Sequence, residues 1–355
     1  MEGCIAKTGD IYQICAVVRD LDQTMRNWIK YIDFNNDSIK CYPADWSDEG
    51  YEVKGTYKGE ETSYRIKAVR FDFATVEMLL VEPLNKEGGD PYSDFLKAYG
   101  NNYHHVTVET FNLEEAVEKF REQGYEPLAQ TEAEGDSHVM YDFREQFGLI
   151  VDFTKGKTGP MARTKKPVYD PVDISRWAPE NPAERKMNYE LTMQVAMVVR
   201  DAYEAAKYLQ TLVDGGEVFV DAEAADAIRS GGMILKYKGV EDVYEYREQH
   251  MFWGNMDIEY FSPTSDQSPN PMGDWLRTQG PGFQHMDMWL LDRWENEKFM
   301  RETLGWEPME EVIRPERICT YMDLREQLGV VLELGPRIVG PRSQMDPEKL
   351  ELMKG

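Results

Sequence analysis

The stretch YQICAVVRD, residues 12–20, returns as MQVAMVVRD at residues 193–201. Each is an apolar run entered by a glutamine, Gln13 or Gln194, and closed by Arg-Asp. Val, Ile and Cys in such a run read as a buried strand. A buried amide then needs hydrogen-bond partners or a ligand. The two glutamines lie 181 positions apart, and the spacing recurs. PYSDFLKAYGNNYHH (91–105) pairs with PMGDWLRTQGPGFQH (271–285), and YDFREQFGLIVDF (141–153) pairs with MDLREQLGVVLEL (322–334). A near-constant offset over most of the chain means internal duplication.

Each half divides again. Residues 12–18 are a predicted strand, and RDLDQTMRNWIKYI is an amphipathic helix. YEVKGTYKG, SYRIKAVRF and TVEMLLVEP alternate as strands do. The cycle then restarts: HHVTVET is a strand, LEEAVEKFREQG a helix closed by Gly124, and SHVMYDF and GLIVDF are strands. The second half repeats the order with QVAMVV and AYEAAKYLQTLV, then HMDMWLL and RWENEKFMRETLG. The plan is βαβββ four times, an α+β class. Between the halves, TKGKTGPMARTKKPVYDPVDISRWAPENPAERK is rich in Pro and Lys and reads as a linker. The expected organisation is an N-terminal domain over 1–155, a linker over 156–187, a C-terminal domain over 188–337 and a tail over 338–355.

The bulk composition narrows the function classes. The 355 residues are 41% hydrophobic and 30% charged, with a net charge of −25. That balance argues against nucleic acid and anionic membrane surfaces, which need a cationic footprint. No apolar stretch reaches the length of a membrane span, and the N-terminus lacks a basic-then-apolar leader. The expected location is the cytoplasm. Cys4, Cys15, Cys41 and Cys319 are scattered, with no CxxC, and read as free thiols. There is no GxGxxG nucleotide fingerprint, P-loop, HExxH or GxSxG.

Four such modules, with EPLNKEGGDPYSDFLKAYGNNYHHV (82–106) joining the first two, resemble the vicinal oxygen chelate superfamily. The likeness is to its glyoxalase I and methylmalonyl-CoA epimerase branch, in a tandem arrangement. The resemblance covers residues 10–155 and 188–336. It implies that modules pair into two cupped, eight-stranded mixed sheets, the first with the second and the third with the fourth. A swapped pairing is the alternative. It also implies a divalent ion in a cup, held by residues of first and last strands.

Carried over residue by residue, the second half supplies Gln194, Glu259, His285 and Glu333. Glu259 lies four residues before Pro263, and Glu333 four after Gly329. Two carboxylates, an imidazole and an amide oxygen suit Mn²⁺, Fe²⁺, Co²⁺, Ni²⁺ or Zn²⁺ with positions open to substrate. The resemblance then implies an isomerase, epimerase or lyase moving a proton beside a carbonyl through a metal-stabilised enolate, with Glu333 or Glu259 as base. The first half offers a degenerate set: Gln13, His105, Asp152 and, two residues from the matching Leu79, Glu77. His138 and Cys319 hold equivalent third-strand positions and are candidates to touch substrate. The ordinary role of such residues is structural, and only their joint placement raises the metal reading above it. His104 is expected to face away from His105, and His250 to lie in a turn. The expected partner is a small carbonyl compound, with a homodimer as the candidate assembly. Two other classes stay open: a ring-cleaving or 2-oxo-acid-type dioxygenase of the same fold, and a small-molecule binding protein without catalysis.

Overall fold

The computed structural model describes residues 4–42, 48–133, 136–155, 173–192, 194–219, 234–242, 246–264, 270–290, 293–314 and 317–335. The tail over 338–355 and the first part of the linker, 156–172, lie outside the described residues.

The repeated Arg-Asp explains how each half begins. Asp20 follows the first strand, Thr8–Val17, and its Oδ1 accepts from the Gln23 backbone N–H, capping the helix Leu21–Tyr31. Asp201 does the same for the helix Ala202–Leu212, accepting from the N–H groups of Tyr203 and Glu204. In the first helix Leu21, Met25, Trp28 and Ile29 fall on one face and are buried. The Pro-opened helices Pro91–Tyr99 and Pro271–Thr278 are capped by Asp90 and Asn270.

Among the described residues, those within 8–155 form one nine-stranded sheet and those within 189–335 an eleven-stranded one. In each half the opening strand runs parallel to the last strand of its own module and antiparallel to the opening strand of the next. Thr8–Val17 lies between Val76–Pro83 and Asn102–Thr110. Gln194–Val198 lies between Met256–Pro263 and Gly282–Leu290. Glu60–Phe73 pairs with both Tyr51–Tyr57 and Val76–Pro83, which closes eight strands of the first sheet into a barrel-like cup. The fold is thus α+β with two large mixed sheets, as the module pattern implied.

The largest apolar cluster draws on both halves. It includes Trp28, whose Nε1 donates to the Leu328 carbonyl. The contacts between halves are reciprocal. Gly148 (φ +80°) ends the turn Arg144–Phe147, and a Cβ there would meet Met197 Cβ at 2.8 Å. Its counterpart Gly329 (φ +81°) would meet Val18 Cγ1 at 2.6 Å. Smaller apolar clusters line the insides of the cups. The described end of the linker packs rather than hangs: Trp177 is buried and its Nε1 donates to Asp22 at 2.6 Å.

Candidate metal centre

The site in the second half is assembled by register. Ala196 on the central strand is paired with Glu259 on one side and His285 on the other. Next along, Asp287 is paired with Glu333, and Glu333 with Tyr321. Because cross-strand partners share a face, these side chains project into one cup. A ligand atom from each of Glu259, His285 and Glu333 lies within 4.8 Å of the others, and all three residues are buried. His285 Nε2 is 3.3 Å from Glu333 Oε2 and 3.7 Å from Glu259 Oε2. Its other nitrogen, Nδ1, faces Gln284 Oε1 at 3.0 Å. An amide oxygen only accepts, so Nδ1 carries the proton and a neutral His285 presents a bare Nε2.

Electrostatics mark the same point. Burial pushes the Glu259 carboxyl up to about 7, opposed by His285 and His250 and aided by the charges of Glu248 and Glu333. Burial works against a charged His285, yet Glu259 and Glu333 lift it to about 9. Neither Glu259 Oε2 nor His285 Nε2 reaches a hydrogen-bond partner. Buried polar atoms left this way call for a further partner, and two carboxylates facing an imidazole nitrogen are a donor set for a divalent cation.

Gln194, the fourth expected member, is one register step away. It pairs with Asp257, and its Nε2 donates to Asp257 Oδ2 at 3.0 Å. Asp257 is in turn 3.2 Å from His250 Nδ1, while His250 Nε2 is 2.7 Å from Glu248 Oε1. His250 therefore does not sit in a turn. It lies within the strand Tyr246–Trp253, opposite Glu259, among three carboxylates. Burial opposes its charge, but Asp257, Glu248 and Glu259 hold it well above the ordinary histidine range. Sequence reading missed His250, Asp257 and Glu248 as one cluster. The pairing of REQHMFWG with MDIEYFSP, by alternation alone, was the signal that could have found it.

The first half repeats the framework with other contents. Gln13 pairs with Glu77 and donates to its Oε1 at 2.5 Å; Arg70 Nη1 lies 3.6 Å from the same oxygen. Thr107 Oγ1 donates to Gln13 Oε1. The strand register does not shift to bring Glu77 to the position of Leu79, which stays paired with Cys15 and Arg70. His138 Nδ1 is 2.7 Å from Asp152 Oδ2. Gln13, Glu77, His105 and Asp152 are thus spread along a polar network rather than gathered about one point. His104 does not face away from His105: a bulge between the Cys15–His105 and Ala16–Tyr103 pairs turns both rings to one side, their Nδ1 atoms 2.7 Å apart. Cys319, at the place of His138, is buried in the apolar lining of the second cup.

Residues 12–141 match the family described as Glyoxalase/Bleomycin resistance protein/Dioxygenase superfamily. Comparison with curated protein sequences gives no match. Among solved structures, the chain is similar to a mutant of 4-hydroxymandelate synthase from Streptomyces coelicolor, with TM-score 0.49 and 12% identity over 95% of this chain and 96% of that one. Methylmalonyl-CoA epimerase from Mycobacterium tuberculosis gives TM-score 0.29 and 15% identity over 44% and 94%. A hypothetical protein from Staphylococcus aureus gives 0.41 and 9% over 93% and 99%. No helix among the described residues is long and apolar enough to cross a membrane.

Proposed function

We propose that this chain, whose residues 12–141 form a domain of the glyoxalase, bleomycin resistance protein and dioxygenase superfamily, is a divalent-metal-dependent isomerase, epimerase or lyase. It would move a proton beside the carbonyl of a small substrate, in the cup of its second half. The observation that carries this reading is the buried trio Glu259, His285 and Glu333, in which Glu259 Oε2 and His285 Nε2 make no hydrogen bond.

Those three residues would hold the ion, and Gln194, its amide nitrogen tied to Asp257, is left with its oxygen to add. When bound, the cation supplies Lewis-acid polarisation of a substrate carbonyl. The chain's own residues do the rest. Gln284 fixes the His285 tautomer through Nδ1. Tyr321 sets its ring edge-on to His285 at 4.8 Å. Burial keeps the Tyr321 phenol protonated well beyond its usual range, so it can donate to a substrate oxygen. Val198, Phe261, Val312 and Val331 give the cup an apolar wall that excludes water. Glu333 would take the proton from the carbon next to the carbonyl and return it to the neighbouring carbon; inversion at the same carbon would need a second acid on the other face, the role left to Glu259.

The donor set favours this over oxygen chemistry. The dioxygenase reading calls for a second imidazole; the opening strand has Gln194 instead, and His250, though 3.6 Å from Glu259, has both ring nitrogens held by Asp257 and Glu248. The test is exchange of carbon-bound hydrogen in deuterated solvent, followed by NMR under strict anoxia, across glyoxal-thiol adducts, coenzyme A thioesters and 2-oxo acids. Exchange without oxygen, lowered roughly 10² to 10⁴-fold in Glu333→Gln, is the expected outcome. Turnover seen only with oxygen present would establish the dioxygenase reading in its place.

A further inference from the structure

The first cup contains a cluster that the reaction above does not use. Cys15, His104 and His105 are buried, and one ligand atom from each lies within 4.8 Å of the other two. Two accidents of sequence bring them together. Cys15 is the cross-strand partner of His105. The bulge at His104 then adds a second imidazole on the same side. At the equivalent places the second half has Ala196, His285 and Gln284. The first half has a thiol and a second imidazole where the second half has neither. It has also lost a carboxylate, since Leu79 stands where the second half has Glu259.

We infer that Cys15, His104 and His105 form a second metal site, of nitrogen–sulfur type, suited to Zn²⁺ or another borderline-to-soft divalent ion. The hydrogen bonds around it prepare the ligand atoms. His104 Nε2 is 3.2 Å from the Pro91 carbonyl, which can only accept, so Nε2 carries the proton and Nδ1 is bare. A ligating histidine characteristically donates its other ring N–H to such a carbonyl. Tyr92 packs against both imidazoles and Phe95 against His104, closing the site to bulk water. Asp152 lies beside the cluster: its charge acts on both Cys15 and His105, and its Oδ1 has no hydrogen-bond partner. Its other oxygen is held by His138.

Binding is a proton exchange. Cys15 gives up its S–H proton to solvent as the thiolate–metal bond forms, while the proton on His105 Nδ1 is replaced by one on its own Nε2, so that both rings stay neutral. Tetrahedral zinc places its nitrogen and sulfur ligands about 3.3–3.7 Å apart. The two Nδ1 atoms, now at 2.7 Å, would open by about half an ångström.

The experiment uses full-length protein produced with cobalt in place of zinc. A thiolate–cobalt charge-transfer band in the near ultraviolet is expected. It should vanish in Cys15→Ser, weaken in His104→Gln, and persist in His285→Ala, whose own site contains no sulfur. No such band in wild type, or a band that survives Cys15→Ser, would show that the two histidines only share a hydrogen bond. Should Cys15→Ser fail to fold, X-ray absorption on zinc-loaded His285→Ala decides. A sulfur shell near 2.3 Å supports the site, and a shell of nitrogen and oxygen alone overturns it.

Discussion

Tyr103 and Phe283 stack with ring centroids 4.1 Å apart and planes within 9°. They hold equivalent positions of the duplicated halves, so the pseudo-twofold axis of the chain passes between their rings. Both are buried, and the Tyr103 hydroxyl also donates to the Val331 carbonyl at 2.8 Å. The two cups are therefore locked at their symmetry axis by one aromatic pair. Phe283→Ala should cost about 3–5 kcal/mol in urea unfolding, the range for deleting a buried phenyl ring. Tyr103→Phe, which loses only the hydroxyl, should cost about 1 kcal/mol. Equal effects from the two would mean that the stack carries little of the interface.

Glu259 should trade stability against cation binding. In metal-free protein burial pushes its carboxyl up more than His285 and His250 hold it down, with the charges of Glu248 and Glu333 adding to the rise. A carboxylate raised in this way costs stability once it ionises, and an amide removes that cost. Glu259→Gln should therefore raise the thermal midpoint measured in chelator. It should also shrink the further rise that wild type shows on adding Mn²⁺ or Zn²⁺. A variant less stable than wild type in chelator, with an undiminished metal-induced rise, would remove Glu259 from the ligand set.

Cys41 gives a pH dependence at the alkaline end. Burial pushes its thiol up to about 12, with Arg176 opposing and Asp22 adding. In the unfolded chain the same thiol ionises near its ordinary value of 9. Between those two values the unfolded state releases a proton that the folded state keeps. The contribution of Cys41 is thus intact below about 9 and is lost as pH climbs towards 12. The urea midpoint of wild type should fall more steeply than that of Cys41→Ala above about pH 9. Parallel curves would show that the thiol ionises freely in the folded protein.

Much of this was legible in the sequence because it is local or periodic. The Arg-Asp endings, the Pro-opened helices and the alternating strands all follow short-range rules. The duplication then supplied long-range pairing at no extra assumption. Glu259 and Glu333 could be placed because each stands at a strand position counted from a nearby Pro or Gly, and His285 because it stands just before the apolar run MDMWL. What escaped was whatever depends on a single irregularity or on facing strands. The bulge at His104 leaves no mark in HHVTV, so His104 was assigned to the wrong face. His250 sits in a strand whose polar residues, Glu248 and His250, face the cup and not the solvent. Alternation marks REQHMFWG as a strand, but a polar series on its inward face is easily taken for an exposed turn when its partner MDIEYFSP is not set beside it.

The two glutamines that open the repeat end up with the same structural partner. Gln13 donates to Glu77, which meets Arg70; Gln194 donates to Asp257, which meets His250. Amide, acid and cation recur at matching positions, and this accounts for an amide in an apolar strand in both halves. The burial differs. The side chains of Arg70 and Glu77 are 17% and 20% exposed, whereas those of His250 and Asp257 are 7% and 1% exposed. Removing the cation should therefore have unequal consequences. His250→Gln leaves Asp257, Glu248 and Glu259 facing one another out of water, and breaking a buried pair in this way costs about 3–5 kcal/mol. Arg70→Gln leaves Glu77 near solvent and still holding Gln13, so its cost should stay near 1 kcal/mol. Adding Glu248→Gln to His250→Gln removes one stranded carboxylate and should recover part of the loss. Urea unfolding of the four proteins in chelator measures all of this. Equal costs for His250→Gln and Arg70→Gln would mean that the second triad is hydrated, and no recovery in the double variant would mean that Glu248 is not part of the charge cluster.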